Sequence, residues 1–387
     1  MNTSNTGNNI TFSEWNDGIT TSLIPNIIVL FVYLVLGICG NFIVLLVYAF
    51  QIKGPSDERY FIPVLAAFDM IATLYLTVNY IFQCLNQVTF SNDFVCKILA
   101  FCTGLTTFNP VSILVIIAVQ RYMKICFPFK QSMSILMKRS SLVFTNVISL
   151  LYAIPLLFVY GSVHYRSVNY GISGTRCGRL KEGHPFMSNL HAIVACVLVF
   201  VIVITLTILY GRIGYTVFRN LEMKKRFTRD EKNIETNSEG VNTEVRDDDM
   251  STDTTVKTSN LSPDKYDGQR PMETNEKATA SKKRRKHNRR VSHKLTIMFL
   301  VITVVFLLCF LPKVTILLLE GMYVNFWEQL SILQRPVVMF LYNMFIINNI
   351  VNPIIYAFMD IKFRNEAAIL LKRMFRKPCI CCRRSKL

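Results

Sequence analysis

Residues 96–122, CKILAFCTGLTTFNPVSILVIIAVQRY, form an apolar stretch that begins at a cysteine and ends at the pair Arg121-Tyr122. A helix rises about 1.5 Å per residue, so the 25 steps from Cys96 to Arg121 cover roughly 37 Å. That length crosses the hydrocarbon core of a bilayer and part of one headgroup layer. The stretch therefore predicts a membrane-crossing helix with a thiol at one face and a guanidinium at the other.

Apolar residues are concentrated in blocks along the 387-residue chain. The sequence is 51% hydrophobic and has a mean hydropathy of +0.35, which is high for a soluble domain. A soluble core would show shorter segments with one apolar face. We predict an all-α membrane protein, a seven-transmembrane helix bundle. Its spans, numbered one to seven in chain order, are residues 26–50, 60–83, 97–119, 141–160, 188–210, 294–318 and 336–358.

The formal net charge of +18 is distributed unevenly across the predicted membrane. Residues 1–25 contain no Lys or Arg, whereas basic residues follow spans three and seven. By the positive-inside rule, the N-terminus is extracellular and the C-terminus is cytoplasmic. Topology thus explains most of the positive charge, and we predict the lipid bilayer, rather than nucleic acid, as its partner.

Three regions follow from this topology. Residues 1–25 form an extracellular tail, residues 26–358 the membrane domain, and residues 359–387 an amphipathic helix and a cytoplasmic tail. A third cytoplasmic loop, about residues 219–290, interrupts the membrane domain. Within that loop, residues 228–281 are rich in Asn, Ser, Thr, Asp and Glu and lack periodicity, which predicts disorder.

Two basic stretches lie beside the predicted inner membrane face. Residues 282–290, KKRRKHNRR, precede span six and are expected to attract anionic lipid and to extend that helix inward. Residues 360–374 alternate apolar and basic side chains, which predicts a short amphipathic eighth helix on the inner surface. Cys379, Cys381 and Cys382 follow beside basic residues, a setting suited to palmitoylation, with unmodified thiols as the alternative.

Cysteines and glycosylation sequons mark the outer side. Cys96 opens span three and Cys177 lies in the loop before span five. Both face an oxidising compartment, so we predict a disulfide between them. Cys84 lies near the same membrane edge and is a rival partner. Asn2 and Asn9 begin two sequons, which predicts glycosylation of the tail.

Polar side chains recur in the middle of three spans. Asn41 lies in span one and Asp69 in span two, while span seven contributes Asn348, Asn349 and Asn352. Such groups need partners inside a membrane. Two interpretations stay open: a hydrogen-bonded network that fixes helix packing, or an ion or proton site that rearranges during function.

Several short motifs occur in the order and spacing of a known family. They are Gly40-Asn41 in span one, Leu65 to Asp69 in span two, Cys96 and Gln120-Arg121-Tyr122 at the ends of span three, Phe306 and Cys309 to Pro312 in span six, and Asn352-Pro353-Ile354-Ile355-Tyr356 in span seven. Pro128 and Phe363 also match, seven residues after Arg121 and Tyr356 respectively. The chain resembles the rhodopsin-like class of G-protein-coupled receptors over residues 25–382, with the character of the peptide receptors.

The resemblance implies a mechanism and a location. An extracellular agonist would bind between the outer halves of the spans, and the inner half of span six would swing outward about Pro312 to admit a heterotrimeric G protein. The protein would lie in the plasma membrane and need no cofactor, with arrestin and receptor kinases as further candidate partners. The residues implied in coupling and switching are Gln120, Arg121, Tyr122, Pro128, Tyr210, Phe306, Phe310, Pro312, Asn352, Pro353 and Tyr356.

The sequence departs from the family pattern at several positions. Gln120 replaces the acidic residue that usually precedes the switch arginine, Arg121. A glutamine hydrogen bond is weaker than a charge-assisted one, so we predict raised basal activity. Phe310 replaces the usual Trp of span six. Pro110 stands where sodium-binding relatives have Ser, so a sodium ion at Asp69 is an open question.

Residues at the expected ligand positions narrow the choice of ligand. Thr103 stands where receptors for biogenic amines carry Asp, and Ile346 where opsins carry the retinal-binding lysine. An amine ligand is therefore disfavoured and a photopigment is excluded. Lys313 should face the pocket, where it could receive a ligand carboxylate, snorkel outward or pair with Glu320. The expected pocket residues are Thr103, Thr107, His191, Phe310, Lys313 and Tyr342.

The aromatic and basic outer loop before span five favours a neuropeptide or peptide hormone as ligand, with a lipid or small acidic ligand as the alternative. A membrane transporter or channel is the alternative from another class, although we find no paired repeats and no pore filter. An enzyme is not expected, because the sequence shows no nucleophile beside a base and no metal-ligand spacing of histidines.

Overall fold

The computed structural model describes residues 11–52, 59–128, 133–166, 171–180, 185–238, 272–323 and 326–375. The chain forms two compact units. One combines Met1–Ile213 with Lys294–Leu387, and the other is Gly214–His293. The predicted sites of glycosylation and palmitoylation lie outside the described residues; they are Asn2, Asn9, Cys379, Cys381 and Cys382.

Helices form most of the described chain. In order they are α1 (Phe12–Ser22), α2 (Ile24–Phe50), α3 (Phe61–Leu85), α4 (Asp93–Cys126), α5 (Ile135–Ala153), α6 (Leu156–Val159), α7 (Pro185–Ser238), α8 (Met272–Met322), α9 (Phe326–Gln329), α10 (Gln334–Asn343), α11 (Ile347–Met359) and α12 (Ile361–Phe375). Strands β1 (Tyr160–Arg166) and β2 (Ser173–Arg179) lie between α6 and α7.

Within these ranges, seven helical segments are long and apolar enough to cross a membrane, which confirms the predicted seven-transmembrane bundle. The segments are Ile24–Phe50, Phe61–Leu85, Asp93–Cys126, Ile135–Val159, Ile193–Arg219, Leu300–Met322 and Gln334–Met359. Span three is longer than expected at both ends. Asn92 caps its first turn, with Oδ1 accepting from the Val95 N–H at 3.0 Å. Its other end precedes Pro128, a residue that disfavours helix at the position before it.

Span seven is interrupted. The apolar pattern predicts one continuous helix over 336–358, but a 3-10 turn at Met344–Ile346 separates α10 from α11. Neither Gly nor Pro occurs in that turn, so no sequence signal marks it. Phe345 and Ile346 of the turn are buried, and the Phe345 ring packs on Tyr80 of span two and Phe310 of span six.

A helix forms within the predicted N-terminal tail, for which the sequence analysis gave no secondary structure. Thr11 and Glu14 form a capping box at the start of α1. The Thr11 N–H donates to the Glu14 carboxylate at 2.7 Å, and this hydrogen bond lowers the pKa of Glu14. Trp15 and Ile19 are buried on the opposite side of the helix. The tail therefore begins the folded core.

Strands β1 and β2 pair in antiparallel fashion, and the loop between them contains Gly171 in the left-handed region at φ +69°. Cys177 of β2 forms the predicted disulfide with Cys96 of α4, with Cα atoms 5.4 Å apart. The rival, Cys84, is a free buried thiol. The disulfide fixes the hairpin to the outer end of span three.

The predicted disorder of residues 228–281 is wrong at both ends. In the unit Gly214–His293, α7 continues to Ser238 and α8 begins at Met272, so the third cytoplasmic loop is helical at both ends of its expected 219–290 range. Neither Gly nor Pro occurs in residues 219–238 or 272–293, which are rich in strong helix formers. Polar composition alone was therefore a poor guide. Residues 239–271 lie outside the described part of the chain.

The predicted eighth helix is α12, Ile361–Phe375. Asp360 precedes it, and its Oδ1 accepts from the N–H groups of Lys362 and Phe363 at 3.0 and 3.2 Å. Phe363, Ala367 and Leu370 are buried along one face, at the spacing expected of an amphipathic helix.

Candidate functional site

A cavity of about 450 Å³ opens between the outer parts of the spans. Its walls come from α3 to α8, α10 and both strands of the hairpin. The volume lies in the range of sites that hold small ligands. All the expected pocket residues line it: Thr103, Thr107, His191, Phe310, Lys313 and Tyr342. Other polar liners were not among the expected pocket residues; they are Tyr80, Gln83, Tyr152, Tyr160 and Arg179. An apolar span gives no signal of which face turns inward, and Arg179 lies in strand β2 rather than in a span.

Two polar atoms of the cavity are buried with no hydrogen-bond partner within the described residues. They are Thr107 Oγ1 and His191 Nε2. Buried polar groups normally have partners, so an unpartnered pair in one cavity indicates groups available to a ligand. Thr103 differs, because its hydroxyl accepts from the Asn79 side chain at 3.0 Å and donates to the Leu99 carbonyl at 2.8 Å.

Lys313 is turned inward and is only 7% exposed. Its ammonium donates to the Tyr80 hydroxyl at 3.3 Å. It also lies 3.3, 5.0 and 5.8 Å from the ring centroids of Phe345, Tyr342 and Tyr80. The burial and these contacts are incompatible with a side chain that snorkels to the membrane surface.

Glu320 is not the partner of Lys313. Among the described residues, no ion pair involves Lys313. Glu320 instead interacts electrostatically with Arg176 and Arg179 of the hairpin. Arg176 also binds Glu328 of α9 at 3.1 Å. The acidic side chains near the mouth thus interact with the hairpin arginines.

Aromatic rings form the floor of the cavity. The Phe310 ring lies 4.5 Å from that of Phe306 and 5.7 Å from that of Phe345, measured between centroids. Phe306 is buried one turn further inward on α8, and Pro312 lies within the same helix. A ligand that contacts Phe310 therefore touches the packing between spans six and seven.

The polar residues of spans one, two and seven lie below this floor. Asn41 donates to the carbonyls of Gly37 and Asn349 at 3.0 and 2.8 Å. Asn352 donates to Asp69 Oδ2 at 2.7 Å. These bonds join span seven to spans one and two, as the packing interpretation expects.

The same region offers oxygen ligands for sodium. The Oδ1 atoms of Asp69, Asn348 and Asn352 are buried, and none has a hydrogen-bond partner in the described part of the chain. Hard cations prefer such oxygens. These three residues fit a small cation, and Pro110 supplies no side-chain ligand. They would hold the ion, and the ion would neutralise charge between spans two and seven.

The expected switch residues lie toward the inner end. Gln120, Arg121, Tyr210 and Tyr356 are all buried. Tyr210 lies within electrostatic range of Arg121 and hydrogen bonds with Thr303 of α8. The Tyr356 hydroxyl has no partner among the described residues.

Three further expected switch residues, Tyr122, Pro128 and Pro353, lie within a few positions of Arg121 or Tyr356 in the sequence. Tyr122 packs edge-to-face on Phe127 at 5.6 Å, directly before Pro128. Pro353 lies inside α11. A Cβ added at Gly40 of α2 would lie 3.1 Å from the Cβ atom of Pro353. Span seven therefore approaches span one closely at this point.

Comparison with known proteins places this arrangement in a family. The family model described as "7 transmembrane receptor (rhodopsin family)" matches residues 40–356, well over half of the chain. The chain belongs to the rhodopsin family of seven-transmembrane receptors. The crystal structure of squid rhodopsin aligns with this receptor at a TM-score of 0.60 and 17% identity, over 93% of the receptor and 87% of the squid chain. At that identity the likeness shows the fold alone. No curated protein matches the receptor.

Membership of this family settles the broad class. The protein is a G-protein-coupled receptor and a multi-pass membrane protein, with an extracellular ligand and a G protein as partners. It belongs to a receptor family and not to an enzyme family. The same match removes the transporter and channel alternatives.

Proposed function

We propose that the receptor binds a peptide in the cavity described above and that binding favours a form in which the inner half of span six has moved outward about Pro312. The observation that carries this proposal is the position of Phe310, which lines the cavity and packs against both Phe306 and Phe345. A ligand can act only through a difference in its affinity for two forms. Repacking around Phe310 supplies that difference.

The outer surface suits an extended ligand. A smaller cavity of about 70 Å³ lies beside the large one and shares five lining residues with it: Tyr80, Gln83, Tyr160, Cys177 and Tyr342. Its other polar liners include Asn86, Gln87 and Arg335. A peptide could place one end in the large cavity and its backbone along the side-chain amides of Asn86 and Gln87. A lipid or small acid, the second candidate, needs only the large cavity.

In this proposal the inner switch consists of Arg121, Tyr210 and Tyr356. All three are buried, and the Tyr356 hydroxyl is unpartnered among the described residues. Movement of α8 would release Thr303 from Tyr210 and open a cleft for the heterotrimeric G protein. Arrestin and receptor kinases would act on the same face as the G protein. The receptor would lie in the plasma membrane with its N-terminus outside, and palmitate would be attached to the terminal cysteines.

A label on span six tests the movement without a known ligand. Ile297 lies near the inner end of the span and is 49% exposed, so Ile297→Cys can carry a bimane dye in a background without reactive cysteines. We expect the dye emission to change when nucleotide-free G protein is added and to return with GTPγS. The matched control is Phe50→Cys at the inner end of span one, which is also exposed and should give no change.

Nucleotide exchange provides the second measurement. The native receptor should stimulate exchange on a G protein, and Arg121→Ala should abolish the stimulation. Stimulated exchange with an unchanged dye signal at Ile297→Cys would refute the span-six movement while leaving coupling intact.

A further inference from the structure

We propose that the ligand of this receptor carries an anionic group, a carboxylate, sulfate or phosphate, and that Lys313 binds it. The proposal rests on the proposed function, since it concerns the ligand of the same cavity. It adds the chemical class of the ligand, which the cavity selects by its charge.

The first observation is the surroundings of Lys313. The residue is only 7% exposed, and it lines the large cavity. Its contacts are one hydroxyl, from Tyr80, and three aromatic rings. Aromatic faces attract a cation but do not neutralise it, and a buried ammonium without a counter-charge is costly. A ligand anion beside Lys313 would supply that counter-charge.

The second observation is the sign of the charge on the residues that line the cavity. No Asp or Glu occurs among the residues that line the large cavity in the described chain, whereas Lys313 and Arg179 both do. Glu320 lines only the smaller cavity, where it interacts with the hairpin arginines. Because Glu320 offsets the charge of Arg179, the positive charge of the lining comes mainly from Lys313, and a lining with this charge attracts anions and repels cations.

The third observation is the distribution of polar groups around Lys313. Tyr80 and Tyr342 both line the cavity; the Tyr80 hydroxyl accepts from the ammonium, and the two tyrosines hydrogen bond to each other. That mutual bond uses one of the two hydroxyl protons, so the other can be donated to the same anion. Apolar side chains also line the cavity, Leu156, Val159 and Val199 among them. This combination fits an amphiphile with an acidic end and an apolar body. An acidic or C-terminal peptide carboxylate and a fatty acid both have this chemistry.

The experiment uses matched acids and amides. Purified receptor in nanodiscs is incubated with a mixture of medium- and long-chain fatty acids and hydrophobic tripeptides, each compound present as the free acid and as the primary amide. Retained compounds are identified by mass spectrometry. We expect at least about tenfold enrichment of acids over their amides at the native receptor, a ratio easily measured by this method. Enrichment of fatty acids or of peptide acids distinguishes the two sources.

Variants of the lysine complete the test. Lys313→Met should reduce the acid-to-amide ratio to about one, and Lys313→Arg should keep most of it because the positive charge remains. Lys97→Met is the matched control, since Lys97 is a partly exposed lysine of span three outside the cavity lining. Equal retention of acids and amides at the native receptor, retention of no acid above empty nanodiscs, or full selectivity in folded Lys313→Met would each overturn the proposal.

The design separates this proposal from the proposed function. The native comparison of acids with amides does not depend on folding of any variant. Ligand-free nucleotide exchange by the native receptor reports coupling independently of the ligand. Exchange without acid selectivity rejects only the anionic ligand, whereas acid selectivity without exchange rejects only the coupling mechanism.

Discussion

Arg59 and Asp360 form a buried ion pair between the start of α3 and the start of α12. Arg59 Nη2 lies 3.0 Å from both carboxylate oxygens, and the two side chains are 8% and 5% exposed. Removal of one partner leaves an uncompensated buried charge. Asp360→Asn should therefore lower the free energy of unfolding by about 3–5 kcal/mol, measured as thermal unfolding in detergent.

A surface pair provides the control for this prediction. Lys97 and Asp93 lie 2.6 Å apart with side chains 34% and 48% exposed. Exposed pairs contribute about 0–1 kcal/mol, so Lys97→Gln should change the melting temperature little. Similar losses in Lys97→Gln and Asp360→Asn would show that burial of the inner pair has no special effect.

A close approach between spans one and two makes Gly37 sensitive to substitution. A Cβ added at Gly37 would lie 2.5 Å from Thr73 Cγ2 and 2.9 Å from Thr73 Oγ1. Thr73 cannot move easily, because it is fully buried and donates to the Asp69 carbonyl at 2.7 Å. Gly37→Ala should destabilise the receptor by about 1–3 kcal/mol through overpacking, measured as melting temperature.

Gly211 of α7 is the matched glycine. An added Cβ there would meet nothing within 4 Å, so Gly211→Ala should stabilise the helix by up to about 1 kcal/mol. If Gly37→Ala melts at the same temperature as the native receptor, the two spans do not pack as closely as the structure shows.

The charge at position 120 is expected to control basal activity. Gln120 is buried beside the buried Arg121 at the inner end of span three. A carboxylate there would strengthen the interaction with the guanidinium by about 1 kcal/mol over a neutral amide and favour the inactive form. Gln120→Asp should lower ligand-free nucleotide exchange about fivefold at matched surface expression.

Gln120→Asn controls for side-chain size, because Asn and Asp have the same shape and differ in charge. Basal exchange that falls equally in both variants would assign the effect to shape. If basal exchange does not fall in Gln120→Asp, the replacement of the usual acidic residue by Gln120 does not affect basal activity.

The N-terminal helix is expected to stabilise the outer part of the bundle. Asn16 donates to the Leu85 carbonyl at 2.9 Å and accepts from the N–H groups of Gln87 and Val88 at 3.0 and 3.2 Å. Asn16→Ala leaves these buried backbone groups without their partner, so the free energy of unfolding should fall by about 1–3 kcal/mol. Thermal unfolding of the purified receptor measures the loss.

Asp17→Ala tests the neighbouring exposed position of the same helix. It should leave the melting temperature nearly unchanged. If Asn16→Ala is equally silent, α1 does not contribute to the stability of the fold.

Much of the fold was predictable from local sequence features. The spans are long apolar runs, and their number and order follow from hydropathy alone. The disulfide was predictable because Cys96 and Cys177 were both expected on the outer side, although the sequence left Cys84 as a rival partner. Local reasoning failed for α1 and for the ends of the third cytoplasmic loop, where composition suggested tail or disorder but helices form.

The candidate site was predictable only in part. Alignment of motifs identified six cavity residues, since the family pattern fixes which side of each span faces inward. It did not identify Tyr80 or Arg179, and it left three roles open for Lys313. Contacts over long sequence separations exclude two of these roles: Lys313 meets Tyr80 across 233 positions, and within the described residues it forms no ion pair with Glu320.

Hydrophobicity is a property of each segment, so the chain's membrane class and number of spans were contained in the order of its residues. The partners of its buried charges were not. They depend on the rotation and tilt of each helix against the others, and in a uniformly apolar span only packing selects the face that turns inward.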